Sequence, residues 1–302
     1  MLLNDLDYFV ALAEEGTFTG ASRKKFVSQP SITNVLQRLE KELGEQLIIR
    51  QRGTRSVQLT TAGTTLFQHS KNILRETEII KSDITNQHKV GIGVPPIIGA
   101  TIFPKIMRRL NDQEIEAFHM VESGSSNMYE LLDNDKVDMV FVGSLMPEHD
   151  RNYDSHYITK SQYVVILPID HPLGQKTSLN FDDLRGERFI SVGEAFMQHR
   201  VLVEQLIKHN MVDELHRTYI TNEITTEQAL IAAGNGIGIM VELAVQGRSD
   251  LVTVPLAEPL DFYIYLIQKR DHQLSAFANR LKQKMVEVIN EIYLKDNKEN
   301  KL

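Results

Sequence analysis

An all-α head, a long helix and a pair of α/β lobes are the architecture that this sequence predicts, and three observations predict it. Apolar residues in the first sixty positions recur at helical spacing. From about Thr64 to Gln87 the chain runs without proline or glycine, long for a globular helix. Beyond Lys89, short β runs alternate with helical runs, the order of a parallel sheet with helices on both faces. At 302 residues, 42% hydrophobic and 24% charged, the chain is too long for one small core, so two or three domains are expected.

In the head, Leu6, Phe9, Val10 and Ala13 fall on one helical face that Gly16 ends, and a second short helix is expected over Gly20 to Lys25. Ser28 then reads as an N-cap with Pro30 in the first turn, where a missing N–H costs nothing. The helix that follows buries Ile32, Val35, Leu36 and Leu39 and leaves Gln29, Ser31, Thr33, Asn34 and Arg38 on other faces. Short helix, brief turn and polar-faced helix make a helix-turn-helix. Two β runs, Leu47 to Arg50 and Val57 to Leu59, flank a basic tip containing Arg52, Gly53 and Arg55, which predicts a wing.

The formal charge of -7 argues against a nucleic-acid partner, but its distribution does not. Between Arg23 and Arg55 stand eight basic residues against three acidic ones, the footprint of a DNA-binding module. In the long helix, Leu66, Ile73 and Ile80 recur every seven residues and Ile84 follows four later, a narrow stripe suited to a two-helix seam. The alternative is one helix lying on its own domain. The predicted domains are 1–60, 61–88 and 89–302, the last divided into one lobe of about 89–161 with 267–302 and another of about 162–266.

Four runs resemble the LysR-type transcriptional regulators in order and spacing: Leu6-Asp7-Tyr8-Phe9, Ser28-Gln29-Pro30-Ser31, Arg38-Leu39-Glu40-Lys41-Glu42-Leu43-Gly44 and Leu59-Thr60-Thr61-Ala62-Gly63. A looser likeness rests on Leu184-Arg185-Gly186 and Ala233-Gly234-Asn235-Gly236-Ile237-Gly238. The resemblance implies a winged helix-turn-helix, a dimerising linker helix and a two-lobed domain similar to periplasmic binding proteins. It further implies a homo-oligomer, a dimer or dimer of dimers, that binds a double-stranded operator and answers to a small metabolite. Carried over by position, Ser28, Gln29, Pro30, Ser31, Thr33 and Asn34 form the reading segment, and Arg38, Arg52 and Arg55 are phosphate or minor-groove contacts. The alternative for Arg38 is an ion pair with Glu42 one turn on. Two positions depart from the family pattern: Ile48 stands where phenylalanine is usual, and Lys24-Lys25-Phe26 replaces a more apolar run.

Ligands in open α/β sheets bind beyond the carboxyl ends of strands, at helix N-termini that favour anions. That rule selects Pro95, Pro96 and Ile97; Ser123, Gly124 and Ser125; Gly193 and Glu194; and Thr225 and Thr226. The alternative for the serines and threonines is helix capping. Hydroxyls at helix N-termini predict a small carboxylic acid as effector. The run Pro95 to Gly99 also resembles regulators of organic-acid metabolism in Gram-positive bacteria.

No cysteine is present, which excludes disulfides, thiolate nucleophiles, thiol redox sensing and Cys-based metal sites. Neither a G-x-S-x-G elbow, an H-E-x-x-H helix nor a P-loop occurs, and Asp133, Asp135 and Asp138 lack the glycine and glutamate of an EF-hand. No cofactor, metal or enzymatic activity is expected. The start of the chain lacks the positive segment of a signal peptide and no stretch suits a membrane span, so a soluble cytoplasmic protein is expected. The competing reading is a cytoplasmic binding protein or enzyme whose N-terminal unit only mediates assembly.

Overall fold

A computed structural model describes residues 1–50, 56–85, 89–148, 150–270 and 272–294. The chain forms two compact units, Met1–Gln87 and His88–Leu302.

The head opens with α1 (Leu3–Glu15), α2 (Phe18–Lys24) and α3 (Gln29–Leu43). Helix α2 starts two residues before the expected position because Thr17 caps it, its hydroxyl accepting from the Gly20 amide. Helix α3 begins as its sequence predicts, with Ser28 Oγ accepting from the Ser31 amide at 3.3 Å. It buries Ile32, Val35, Leu36 and Leu39. These side chains pack with Leu6, Phe9, Leu12 and Ala21 into one small core. Strands β1 (Ile48–Arg50) and β2 (Val57–Leu59) pair antiparallel, Ile49 opposite Gln58. Ile48 is buried in the head core, filling the place where phenylalanine is usual. The wing tip, with Arg52 and Arg55, lies outside the described residues.

Helix α4 (Thr61–Thr85) turns off the wing at Gly63, where an added Cβ would stand 1.9 Å from the Leu47 carbonyl oxygen. Its first turns lie on the head, with Ala62, Leu66, Phe67 and Leu74 packed against the core. Leu66 thus belongs to the head, while Ile73, Ile80 and Ile84 remain exposed and form a shorter stripe than the heptad count implies.

A pairing invisible to local reading ties α1 to α3. Arg38 donates from Nε to Asp5 Oδ2 at 3.0 Å and from Nη2 to Asp5 Oδ1. The pair formed is not the alternative Arg38–Glu42 one, and Glu42 takes the N-terminal ammonium, at 2.7 Å. Lys24 reaches Glu14 and Glu15, and Lys25 reaches Asp7. The acids of α1 therefore face the cations of α2 and α3. Counted over Met1–Thr60, the head holds eight basic residues and seven acidic ones, a smaller surplus than the Arg23 to Arg55 window suggests.

In the second unit, β3 (Val90–Val94) is followed by α5 (Pro96–Thr101), α6 (Phe103–Met107), α7 (Asp112–Glu116) and β4 (Phe118–Glu122). The expected single helix Ile98 to Leu110 is broken into α5 and α6 ahead of Pro104, which offers no amide to continue the ladder. Then come α8 (Met128–Asp133), β5 (Met139–Ser144) and the long β6 (Tyr153–Pro168). Next are β7 (Ile190–Val192), α9 (Met197–Lys208), α10 (Val212–His216), β8 (Tyr219–Thr221) and α11 (Ile224–Ala232). Strands β9 (Gly238–Val241), β10 (Leu251–Pro255) and β11 (Asp261–Lys269) and helix α12 (Ala276–Ile289) complete the unit.

Strands β4, β3 and β5 are parallel, and β11 runs antiparallel to β5 on one side and to β6 on the other. Strand β6 belongs to two lobes. Its residues 153–162 pair with β11, and 163–168 pair with β9 and β10. The sequence marks only Tyr163 to Leu167 as strand, so most of this element comes from the structure. Because all of β11 pairs within the first lobe, the second lobe ends near 260 rather than 266. Bridging from Phe189 to Ile237 adds β7 and β8 to the second lobe.

Beside the guanidinium of Arg38, the Asp5 carboxyl is held below its ordinary value of 3.8. The pair's stabilisation is therefore present above that value and lost as pH falls through the lower folded one. In Arg38→Gln, amide exchange in α1 should accelerate at pH 7, and the gap from the parent should narrow as pH drops below 3.8.

Candidate DNA-reading face and ligand cleft

At the start of α3 the hydroxyls are occupied. Ser28 Oγ and Ser31 Oγ bond each other at 2.8 Å, and Thr33 Oγ1 donates to the Gln29 carbonyl at 3.2 Å. Gln29 and Asn34 are exposed and their side chains bond to no described residue. Two amides able to donate and accept are thereby presented beside Pro30, which stands exposed in the same turn. Arg38 is half exposed, but its guanidinium is held by Asp5. In the preceding turn Phe26 has φ 55° and is 96% exposed. The departure at Lys24-Lys25-Phe26 is thus two cations folded back on α1 and one aromatic ring in water.

The cleft lies between the two lobes of the second unit. Its walls are chain segments leaving the carboxyl ends of β3, β4, β7 and β8, as the strand-end rule requires. Tyr163 of β6 and Phe262 of β11 form its floor where the two antiparallel strands lie side by side, their rings edge to face at 5.7 Å. An inner pocket of about 30 Å³, close to one water, is lined by Pro95, Pro96, Ile97, Ile98, Ser125 and Met197 among others. It shares Pro96, Ile97, Phe196 and Ile224 with an outer pocket of about 220 Å³, which adds Thr101, Glu122, Glu223, Thr225 and Gln228.

Of the residues selected from sequence, Pro95, Pro96, Ile97, Ser125 and Thr225 line these pockets. Ser123, Gly124, Gly193, Glu194 and Thr226 do not. Ser123 Oγ accepts from Asn127 Nδ2 at 3.0 Å, a local bond within its own turn. Gly124 meets the opposite lobe instead: a Cβ there would stand 2.0 Å from the Ala195 carbonyl oxygen. The loop carrying Gly193 and Glu194 contributes Phe196 further along. Tyr163, Phe196, Gln198, Glu122 and Glu223 were missed by sequence reading.

Beneath the inner pocket, Gln198 Nε2 donates to Glu227 Oε1 at 2.6 Å. Gln198 Oε1 and Glu227 Oε2 are both buried and have no partner among the described residues. Burial pushes the Glu227 carboxyl up to about 8, against the smaller opposing effect of the Gln198 amide, so it is protonated at neutral pH.

A helix-turn-helix head joined to a long helix, followed by a two-lobed domain with a lined cleft, defines a ligand-responsive DNA-binding regulator. The family model for the bacterial regulatory helix-turn-helix protein of the lysR family matches residues 3–64, and that for the LysR substrate binding domain matches 85–289. The chain belongs to the LysR family of transcriptional regulators. Similar to it is the malolactic fermentation system transcriptional activator of Lactococcus lactis, 27% identical over 259 residues, 85% of this chain and 87% of that one. Among solved structures, a full-length OxyR variant from Pseudomonas aeruginosa superposes with a TM-score of 0.61 at 19% identity, covering 96% of this chain and 95% of that one. Full-length CbnR in complex with its target DNA gives 0.51 at 19% identity, covering 96% and 100%. These two likenesses concern the fold. Family membership sets aside the enzyme reading, and among the described residues no helix is long and apolar enough to cross a membrane.

Two outcomes are expected. Gly124→Val forces the lobes apart at Ala195 and should cost the second unit roughly 1–3 kcal/mol, read as a fall in its thermal unfolding midpoint. Glu227 binds its proton more tightly folded than unfolded, so stability should decline as pH rises from its ordinary 4.5 toward 8. Glu227→Gln should remove that decline, which amounts to at most about 1.4 kcal/mol per pH unit in urea titrations.

Proposed function

We propose that this protein binds a double-stranded operator through α3 and the wing, and that a small metabolite between the lobes of 89–302 modulates that binding. The observation carrying the reading is the presence in one chain of two exposed, unbonded amides on α3 and a cleft whose floor is made by Tyr163 and Phe262. Gln29 and Asn34 read base edges, with Ser28, Pro30, Ser31 and Thr33 shaping the segment that presents them. A bidentate Gln–adenine pair contributes roughly 1–3 kcal/mol of discrimination. Arg52 and Arg55 contact phosphates or the minor groove. Arg38 serves first to hold α3 against α1, and its exposed edge is available to a phosphate.

The exposed Ile73, Ile80 and Ile84 suit a seam between two α4 helices and support a homo-oligomer, a dimer or dimer of dimers. A DNA partner puts the site of action in the cytoplasm. Effector binding works by population shift: it favours one lobe arrangement, and only differential affinity for the two arrangements moves the equilibrium. For an organic acid as effector, the N-termini of α9 and α11 and the hydroxyls of Ser125 and Thr225 are the supporting features, together with the regulated system named for the Lactococcus relative.

Binding to DNA flanking the protein's own gene, against random DNA at fixed salt, tests this reading. Parent protein should prefer the flanking DNA, Gln29→Ala should lose preference while retaining non-specific affinity, and Arg52→Ala should weaken both DNAs alike and flatten the salt slope. Equal loss of preference in both variants overturns the assigned roles, and absence of any preference overturns the function.

A further inference from the structure

The mouth of the cleft is acidic on both sides. Glu122 ends β4 in the first lobe and Glu223 precedes α11 in the second, and both line the outer pocket. Among the described residues, no lysine, arginine or histidine lines either pocket. Arg248 approaches from behind Gln228, donating to its Oε1 at 3.1 Å, but Asp250 answers that charge with two bonds of 2.8 and 2.6 Å. The N-terminus of α11 attracts negative charge, and Glu223, its N-cap residue, supplies that charge from the chain itself.

Behind the mouth the walls turn apolar, with Pro96, Ile97, Phe196 and Ile224 shared by both pockets. At the back stand Tyr163 and one buried polar atom that bonds to no described residue. Gln198 is 4% exposed and its Oε1 has no partner among the described residues. Tyr163, 2% exposed, lines the same pocket. A buried acceptor left unpaired is costly, so Gln198 Oε1 is suited to receive a donor. An anion drawn to the N-terminus of α9 would pass two glutamates and arrive beside this acceptor.

Resting on the reading of this cleft as the effector site, we infer that its ligand is a small organic cation: an ammonium held between Glu122 and Glu223, an apolar middle against Ile97 and Phe196, and a far-end N–H or O–H donating to Gln198 Oε1. The geometry sets this class against the carboxylic acid that the hydroxyls alone suggest. A carboxylate at the same mouth meets like charge from both lobes and finds no cation among the described lining residues.

Calorimetric titration of the full chain with 4-amino-1-butanol, 1,4-butanediol and 4-hydroxybutyrate varies only the charge at one end of a four-carbon alcohol. Affinity should rank amine, then diol, then carboxylate. Glu122→Gln and Glu223→Gln should each weaken the amine about two- to fivefold and leave the diol unchanged. Gln198→Met should weaken amine and diol alike. Tighter binding of the carboxylate, or an amine affinity indifferent to both glutamates, overturns the cation inference. Ala100→Trp, which fills the outer pocket from an exposed position, separates the two readings. If it abolishes binding of whichever compound binds, the cleft stands as the site even where the charge assignment fails. If binding survives it, or none of the three compounds binds, the cleft reading fails and the inference with it.

Discussion

The second unit depends on one strand that serves two sheets. Residues 153–162 of β6 hydrogen-bond with β11, and 163–168 continue into the ladder with β9 and β10. No turn intervenes, so the lobes share an unbroken backbone where the cleft needs its floor, with Tyr163 as the first residue past the change of partner. Phe262 lies against Tyr163 from β11, and an added Cβ at Gly143 would stand 1.9 Å from the Phe262 ring. The floor is thus packed from below.

The head is held together differently. Its helices are short, its core is small, and charge assists the packing: the buried Asp5 carboxylate is matched by two guanidinium bonds from α3. An unmatched carboxylate in that position would be costly, so α1 and α3 are specified as partners as well as packed. Lys24 and Lys25 are drawn in the same way to α1. The cations left outward on the described part of the head include Arg23 and Lys41, both exposed.

Much of this was legible in the sequence where the cause is local. Ser28 as a cap, Pro30 in the first turn and the spacing Ile32, Val35, Leu36, Leu39 fix α3 within a few residues, and the structure repeats them. The outer half of β6 was not legible, because Tyr153 to Gln162 mixes polar and charged residues with few aliphatic ones and takes its strand form from β11. Arg38 and Asp5 are 33 positions apart, beyond any helical neighbour rule. In the cleft, the strand-end rule found Pro95, Pro96, Ile97, Ser125 and Thr225, since topology alone decides where loops gather. Tyr163, Phe196 and Phe262 read as ordinary core residues, and nothing in Gln198 or Glu227 announces burial. The two glutamates at the mouth were passed over because single exposed acids are common and only the fold brings them to one opening.

Gly124 gives the cleft a division of labour between backbone and side chains. The lobes meet there with a hydrogen atom against the Ala195 carbonyl, so the fit at that edge is set by main chain alone. Glu122 and Glu223 line the opening and take no part in that contact. Residues at the opening can therefore be exchanged without disturbing that backbone contact. One scaffold of this kind can change the chemistry of its opening while the seam between its lobes keeps the same backbone fit.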